Sequence, residues 1–376
     1  MTSVSADPSS KRLSFVVLSV LVLAALIPVL LRRPASENRV VVYCSHDSIF
    51  ADAVIRRFED RTGIEVDVRY DEEANKSLGL TNLLIAERDN PRCDVFWNNQ
   101  TLGTIRLKEH GVLASYSGPG YARIPAAFKD PDGLWAGFAA RMRVYIINSN
   151  RLPLPANIVG NHAATEAFDL EAVESLLDGK SIDSVAIAIP LFGTTLSHYS
   201  VLAAEWGLDR LRAWHQSLHD RGIREARGNG GVKDLVAEGA CTVGFTDTDD
   251  AFVALQQGKP VRMIPVRLPF SGDAAKDKPD RQRQTIVIPN SVALIAGAGH
   301  PQNAKAFIDF LLSEEVELLL ANSTSRQIPL GPVDDTKLSD EVRRLMNWAK
   351  DGIPLQNAAG ENQKVLNWLS SEYTVQ

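Results

Sequence analysis

The segment VVVYCSHDSIFADAVIRRFEDRTGIEVDVRY, residues 40–70, indicates the fold class of this chain. It begins with VVVYC, an apolar run typical of a buried strand, and ends with IEVDVRY, which alternates like a half-buried strand. Between them, apolar residues recur at helical spacing until Gly63, at Ile49, Phe50, Ala53, Val54 and Phe58. This order predicts parallel strands joined by a helical crossover.

The same alternation continues along the chain and predicts an α/β fold. A second helical pattern precedes DVFW (94–97), which reads as a third strand, and another helix is predicted around Thr101 to Glu109. A second α/β lobe is expected to start near RVYIIN (143–148). TIVIPNSVALI (285–295) reads as a further pair of strands after the charged loop SGDAAKDKPDRQRQ.

Ligands of open α/β sheets bind beyond the carboxyl ends of the strands. The segments that follow predicted strands are therefore the candidate binding segments, and all of them are polar. They are SHD after VVVYC, DEEANK after IEVDVRY, NNQ after DVFW, FGTT after VAIAIP and TDTDD after CTVGF.

Composition is that of a globular protein large enough for two cores. The 376 residues are 45% hydrophobic and carry a formal net charge of -6. No run of lysine and arginine is long enough to follow a phosphate backbone, so nucleic acid is not expected as a partner.

The apolar segment at residues 13–31 carries no charge and would span about 28 Å as a helix, close to the thickness of a bilayer core. It is either an uncleaved transmembrane anchor or a cleaved export signal. Arg33 and Pro34 before Ala35 make a poor cleavage site, which favours the anchor. Residues 1–12 would then form a cytoplasmic tail and residues 32–39 a linker.

PLFGTTLSHY (190–199) places Gly193, Thr194 and Thr195 where a strand gives way to a helix. Free backbone N–H groups at such a helix start bind anions, although an ordinary capped helix needs no ligand. Arg141 and Arg143 share one face of a predicted strand, and a guanidinium there would complete an anion site.

Two other strand exits offer polar groups. Trp97, Asn98 and Asn99 supply an indole and two amides for a small polar ligand, whereas a core position for the indole is an equal alternative. His46 and Asp47 follow the first strand, where a turn with a satisfied histidine is the alternative.

TDTDD (246–250) crowds three carboxylates at the end of a predicted strand. One aspartate is enough to cap the helix that follows, and a third adds repulsion that a cation, an amine or an arginine relieves. We expect Asp250 to cap the helix, and Asp247 and Asp249 to face a cleft. The alternative is that all three only complement the helix dipole.

A binding protein is expected rather than an enzyme. The sequence contains no G-x-S-x-G, H-E-x-x-H, P-loop or G-x-G-x-x-G pattern. Ser45, His46 and Asp47 are adjacent, so on an extended chain they point apart and form no catalytic relay.

Together these segments resemble the bacterial extracellular solute-binding proteins of ABC transporters, specifically the ferric-iron-binding class with the type II periplasmic binding fold. The resemblance runs in order from Val40 to Leu330. It is carried by the opening stretch and by stretches that include CDVFWNNQTLG, LWAGFAARMRVYIIN, IAIPLFGTTLSHY, VGFTDTDDAFVALQQGKPV, IVIPNSVALIAGAGHPQNAKAFIDFLLS and QIPL.

The resemblance implies two lobes with parallel-rich sheets and a strand hinge, closing on a ligand between them. Lobe 1 would comprise residues 40–141 plus 285–330, and lobe 2 residues 142–284 plus 331–376. It also implies permease and ATPase subunits of an ABC transporter as partners. The location would be periplasmic or extracytoplasmic, with the protein secreted or held to the membrane by its N-terminal helix.

The resemblance also assigns residue roles. The histidine, glutamate and tyrosine pair of the iron-binding members fall on Asp47, Asn99 and Thr248-Asp249, so the phenolates that favour ferric iron are missing. The anion site of the family falls on Gly193, Thr194, Arg141 and Asn229.

Three interpretations of the function follow. The cleft of an importer component could hold a ferric ion on Asp47 and Asp249 together with a synergistic anion, as the transported ligand rather than a cofactor. Alternatively it could hold an organic anion or a zwitterion such as an aminophosphonate, with the amine on the aspartates and the anion on the helix start. The third is an extracytoplasmic sensory receptor.

Overall fold

The computed structural model describes residues 38–71, 77–268 and 284–374. The expected tail at residues 1–12, the apolar segment at 13–31, most of the linker and most of the charged loop lie outside these ranges. Within them, every helix is too short or too polar to cross a bilayer.

Strands and helices alternate along most of the chain. The strands are β1 Arg39–Cys44, β2 Glu65–Tyr70, β3 Val95–Asn98, β4 Leu113–Ala114, β5 Ala136–Asn148, β6 Val185–Ala188, β7 Arg224–Ala226, β8 Val243–Asp247, β9 Val261–Pro265, β10 Arg267–Leu268, β11 Gln284–Thr285 and β12 Val287–Ile295. The helices are α1 Ser48–Thr62, α2 Leu78–Ala86, α3 Leu102–Glu109, α4 Pro119–Arg123, α5 His162–Leu177, α6 Gly193–Trp206, α7 Leu208–Asp220, α8 Asn229–Ala237, α9 Thr248–Gln256, α10 Pro301–Leu311, α11 Glu314–Ala321, α12 Asp340–Ala349 and α13 Ala359–Thr374.

The main sheet has the order β2-β1-β3-β12-β5-β8-β6-β7, with β4 on β12 and β9 on β5. As the sequence predicts, β1, β2 and β3 are parallel, and β1 lies between the other two. In the other half, β6 lies between β7 and β8, also in parallel. The two long central strands β5 and β12 are antiparallel to each other and to their other neighbours. The sheet is therefore mixed, because only its outer strands are joined by helical crossovers.

Strand β5 connects the two halves of the molecule. Residues up to Met142 pair with β12, and residues from Arg143 onward pair with β8 and β9. The segment at 285–295 is not the expected pair of strands: Thr285 ends the short strand β11, and residues 287–295 form the single strand β12, which continues through Pro289, Asn290 and Ser291. We propose that the two lobes meet at residues 141 and 142, as expected from the sequence.

Each half has its own apolar core. Residues of β1, β3, α1 and α10 pack together on one side, including Val42, Phe58, Val95 and Phe307. Residues of β6, β8 and α6 form the other core, including Ile187, Tyr199, Leu202 and Phe245. A smaller cluster around Met142, Val287 and Ile328 lies where the chain crosses between them.

The crossing region contains a strained residue. Ala139 on β5 has a φ of 41°, which is unfavourable for a residue with a side chain. Its N–H donates to the buried Glu317 at 3.3 Å, and its carbonyl accepts from the buried Asn290, opposite a register shift in β12. These two partners fix the strained backbone at the point where the lobes join.

Candidate functional site

A cavity of about 180 Å³ lies between the two halves of the molecule. Its lobe 2 wall consists of residues that end or follow β6, β7 and β8, namely Ala188, Ile189, Phe192, Gly193, Thr194, Thr195, Arg227, Gly228, Asn229, Gly230, Asp247, Asp249 and Asp250. Among the described residues, its lobe 1 wall includes Asp47 after β1, Asn99 after β3, and Arg141 on β5. The cavity therefore lies beyond the carboxyl ends of parallel strands, where such sheets bind ligands.

Three helices begin at this cavity on its lobe 2 wall. They are α6, α8 and α9, and their N-cap residues Phe192, Gly228 and Asp247 make no side-chain capping hydrogen bond. The backbone N–H groups of a first helical turn have no partner within the helix, and the helix dipole adds partial positive charge. The lobe 2 wall is therefore suited to a negatively charged group.

A buried cluster ties these helix starts to strand β5. Arg143, with no exposed surface, donates from Nη1 to Asp247 Oδ1 at 2.7 Å and to Asn229 Oδ1 at 3.1 Å. Thr194 Oγ1 and Asn229 Nδ2 donate to Asp247 Oδ2 at 2.5 and 3.0 Å. Thr195 donates to Asn229 Oδ1 at 3.1 Å. Asp247 lines the cavity, but both of its carboxylate oxygens already accept hydrogen bonds from protein groups.

Arg141 and Asp249 form a second, looser pair beside the cavity. Arg141 Nη1 lies 3.6 Å from Asp249 Oδ2, and its Nη2 donates to the carbonyl of Asn99. Burial lowers the pKa of Arg141, but Asp249, Asp247 and Asp47 raise it above its ordinary value overall. Burial raises the pKa of Asp249 to about 6, with Arg141 opposing the rise and Asp247 and Asp47 adding to it. The negative charge of the aspartates that line the cavity is thus only partly neutralised by arginine.

Asp250 does not cap the helix that follows TDTDD. The helix begins at Thr248, so Asp247 occupies the N-cap position and Asp250 lies in the first turn, where its carboxylate accepts from Thr246 Oγ1 at 3.0 Å. Burial, Asp249 and Asp247 raise the pKa of Asp250 well above its ordinary value. The expectation that Asp250 caps the helix is wrong because the helix starts three residues earlier than its apolar pattern indicates.

His46 lies outside the cavity lining, in contrast to its neighbour Asp47. It is buried, with its Nε2 2.9 Å from Gln327 Nε2 and its ring packed edge-on against Trp97 at a centroid distance of 5.5 Å. His46 is therefore a core histidine.

Trp97 and Asn98 are also core residues. Trp97 has no exposed surface and packs against Phe138, and Asn98 donates to Thr104 Oγ1 at 3.2 Å. Asn99 differs from them because the strand ends at Asn98, so Asn99 lies just beyond the strand and lines the cavity.

Sequence reasoning missed Arg227. This exposed arginine lines the cavity between β7 and α8, beside Gly228 and Asn229. The signal was the segment ARGNGG, in which a basic residue precedes a glycine-rich helix start. Among the described residues, the cavity lining includes no tyrosine, and Thr248 at one family tyrosine position is buried with its hydroxyl accepting from the Met142 N–H at 3.3 Å.

A metal ion has one candidate set of ligands among the described residues. Oxygen atoms of Asp247, Asp249 and Asp250 lie within 4.8 Å of one another. Carboxylate oxygens suit hard cations. However, Asp247 already pairs with Arg143, and Arg141 lies beside Asp249, so this set is partly balanced by guanidinium charge.

Comparisons with known proteins agree with this architecture. Iron uptake protein A1 from Synechocystis sp. is 22% identical over 293 residues, which are 77% of this chain and 75% of that protein. The structure of iron-bound HitA from Pseudomonas aeruginosa matches with a TM-score of 0.70 at 18% identity, covering 88% of this chain and 99% of that chain.

The periplasmic binding protein AfuA from Actinobacillus pleuropneumoniae, with exogenous fructose-6-phosphate bound, matches with a TM-score of 0.67 at 20% identity. This match covers 90% of this chain and 99% of that chain. These likenesses show a two-lobed fold of the type II periplasmic binding proteins. The family model described as "Bacterial extracellular solute-binding protein" matches residues 53–345. The chain therefore belongs to the bacterial extracellular solute-binding proteins.

Proposed function

We propose that this protein is the substrate-binding component of an ABC importer and that its inter-lobe cavity captures a small organic anion. It would bind the solute outside the cytoplasm and deliver it to the permease and ATPase subunits. The volume of about 180 Å³ supports a small solute, because pockets for drug-sized ligands enclose about 300–1,000 Å³.

The observation that carries this proposal is the convergence of helix starts on one wall. The first turns of α6 and α8 face the same cavity, and neither N-cap residue competes for their N–H groups. Arg227 lies beside them, and Arg141 adds a second cationic group to the part of the lining that the structure describes. A phosphoryl, phosphonate or carboxylate group would receive several charge-assisted hydrogen bonds there.

Ferric iron with a synergistic anion is the second candidate. The names of the Synechocystis relative and of iron-bound HitA, together with the group formed by Asp247, Asp249 and Asp250, favour it. Against it, the phenolate ligands are replaced, and two arginines lie within 4 Å of two of these carboxylates. Like charge so close to a trivalent ion would weaken its binding.

Replacing Arg227 tests the proposal. Arg227→Ala should weaken binding of inorganic phosphate or an organic phosphate about tenfold in a calorimetric titration, because one charge-assisted contact is lost. Arg224→Ala is the matched control, since Arg224 is exposed on the adjacent strand and does not line the cavity. Equal affinities of the wild type and Arg227→Ala for these ligands would contradict binding of the anion at this wall.

A further inference from the structure

Buried side chains hold the chain segments that meet where the two lobes join. Within the described residues these segments are β5, the start of β12 and residues 328–331. Strand β12 pairs with β5, and Ile328 forms an antiparallel bridge with Ala140. All three segments contribute to one apolar cluster, which includes Met142, Val287 and Ile328. A change in the angle between the lobes would therefore bend these segments.

Glu317, on α11, binds two of the segments at once. Its side chain has no exposed surface. Its Oε1 accepts hydrogen bonds from the Leu330 N–H at 2.7 Å and from the Ala139 N–H at 3.3 Å, and its Oε2 accepts from the Gly331 N–H at 3.1 Å. A carboxylate is costly to bury unless it is paired and hydrogen-bonded, so these contacts fix its position. One side chain thus joins α11 to β5 and to residues 328–331.

Arg123 completes this arrangement. Its Nη1 lies 2.7 Å from Glu317 Oε2 and also donates to the Leu312 carbonyl, while its Nη2 donates to the Pro332 carbonyl. A Cβ atom at residue 331 would lie 2.5 Å from Arg123 Nη1, so the glycine there allows the guanidinium to approach the backbone. The ion pair therefore lies directly against the segment that leaves α11.

Asn290 connects the third segment to the same point. It lies on β12 with no exposed surface, and its Nδ2 donates to the Ala139 carbonyl and to Gln327 Oε1. The N–H and the carbonyl of Ala139 are thus both bound by buried side chains, and its φ is 41°. A strained backbone persists only where its surroundings over-determine it, so this residue is held rigidly.

We propose that Glu317 is a positioning residue for lobe closure, acting together with Arg123 and Asn290. These side chains hold the lobe 1 ends of the three segments and so confine hinge bending to the residues that follow Ala139. A hinge absorbs its motion at a few residues. A narrow range of lobe orientations keeps the binding-competent arrangement populated, whereas a broad range lowers the apparent affinity by the fraction lost. The inference does not depend on which solute the cavity takes.

Interlobe distances in the ligand-free full chain test this role. Spin labels can be attached in the double variant Asp89→Cys/Asp209→Cys, whose two carboxylates are 90% and 99% exposed on lobe 1 and lobe 2. The native cysteines are buried and should stay unlabelled. Glu317→Gln keeps the size of the side chain but places an amide nitrogen or a weaker acceptor against Arg123 and the Gly331 N–H. We expect about 10% or more of the molecules to lie outside the wild-type distance range, the upper end for a minor conformation.

Phe307→Leu is the matched control for a general loss of stability. Phe307 is buried in the lobe 1 core against Phe58, and its side chain can form no hydrogen bond to the three segments. It should lower the urea midpoint and leave the interlobe distances unchanged. A wild-type distribution in Glu317→Gln would overturn the proposal, as would equal broadening in Phe307→Leu.

Arg123→Lys decides the question if Glu317→Gln does not fold. Arg123 is 16% exposed, and lysine keeps its charge but cannot reach Leu312, Glu317 and Pro332 together. We expect a smaller broadening of the interlobe distances in the same direction. Distances identical to those of the wild type would overturn the proposal.

Discussion

Removing the carboxylate of Asp247 should lower the stability of the fold rather than only weaken ligand binding. Arg143 is fully buried, Asp247 is 3% exposed, and their charged atoms lie 2.7 Å apart. Breaking such a pair from one side leaves a buried guanidinium without its counter-ion and costs about 3–5 kcal/mol. Thr194 and Asn229 lose an acceptor at the same time. We therefore expect Asp247→Ala to lose about 3–5 kcal/mol of unfolding free energy.

Urea denaturation of the ligand-free protein measures this loss, with Asp209→Ala as an exposed control that should stay within about 0.5 kcal/mol of the wild type. The double variant Arg143→Met/Asp247→Leu should recover much of the stability, since it removes both charges together. If Asp247→Ala kept wild-type stability but lost solute binding, Asp247 would be a ligand contact and the structural role would be refuted.

Substitutions of Asp249 and Trp97 give two further predictions. The pKa of Asp249 is raised from 3.8 to about 6, so the stability linked to its protonated form is present below about pH 4 and lost as pH rises through 6. Asp249→Asn should remove up to about 3 kcal/mol of that decline between pH 4 and pH 7 in urea titrations, and an unchanged pH slope would contradict the burial of this carboxyl. Trp97→Phe should lower stability by about 1–3 kcal/mol and leave affinity unchanged in calorimetry, since Trp97 is a core residue. A weakened affinity with unchanged stability would indicate instead that Trp97 contacts the ligand in the cleft.

The main features of the fold were predictable because the spacing of hydrophobic residues indicates where strands and helices form. The alternation from Val40 to Trp97 predicts β1, β2 and β3 and their parallel order, and the structure confirms it. The antiparallel pairing of β5 with β12 was not predictable, because the apolar pattern of a strand carries no information on its direction or its partner.

The candidate site was predictable only in part. Polar strand exits indicate the correct edge of the sheet, and Asp47, Asn99, Thr194 and Asp249 all line the cavity. Sequence spacing does not determine which way a residue turns at a strand end, so Trp97 and Asn98 were assigned to the ligand side although they are buried in the core. It also cannot show which carboxylate an arginine neutralises, and the Arg143–Asp247 pair therefore emerges only from the structure.

The hinge explains how a cavity between two lobes can open. Strand β5 passes directly from one lobe to the other, and Ala139 with its positive φ lies just before the crossing. Small changes in backbone angle there would rotate one wall of the cavity relative to the other. Solute bound to both walls would then favour the closed arrangement, because only that arrangement supplies all of its contacts.

We propose that the cavity holds an organic anion on the helix starts of α6 and α8. Parallel calorimetric titrations of iron-free, phosphate-free protein with 2-aminoethylphosphonate and with ferric citrate test it most directly. We expect stoichiometric, saturable binding of the phosphonate, weakened about tenfold in Arg227→Ala. Stoichiometric uptake of ferric iron with no detectable binding of the phosphonate would contradict it.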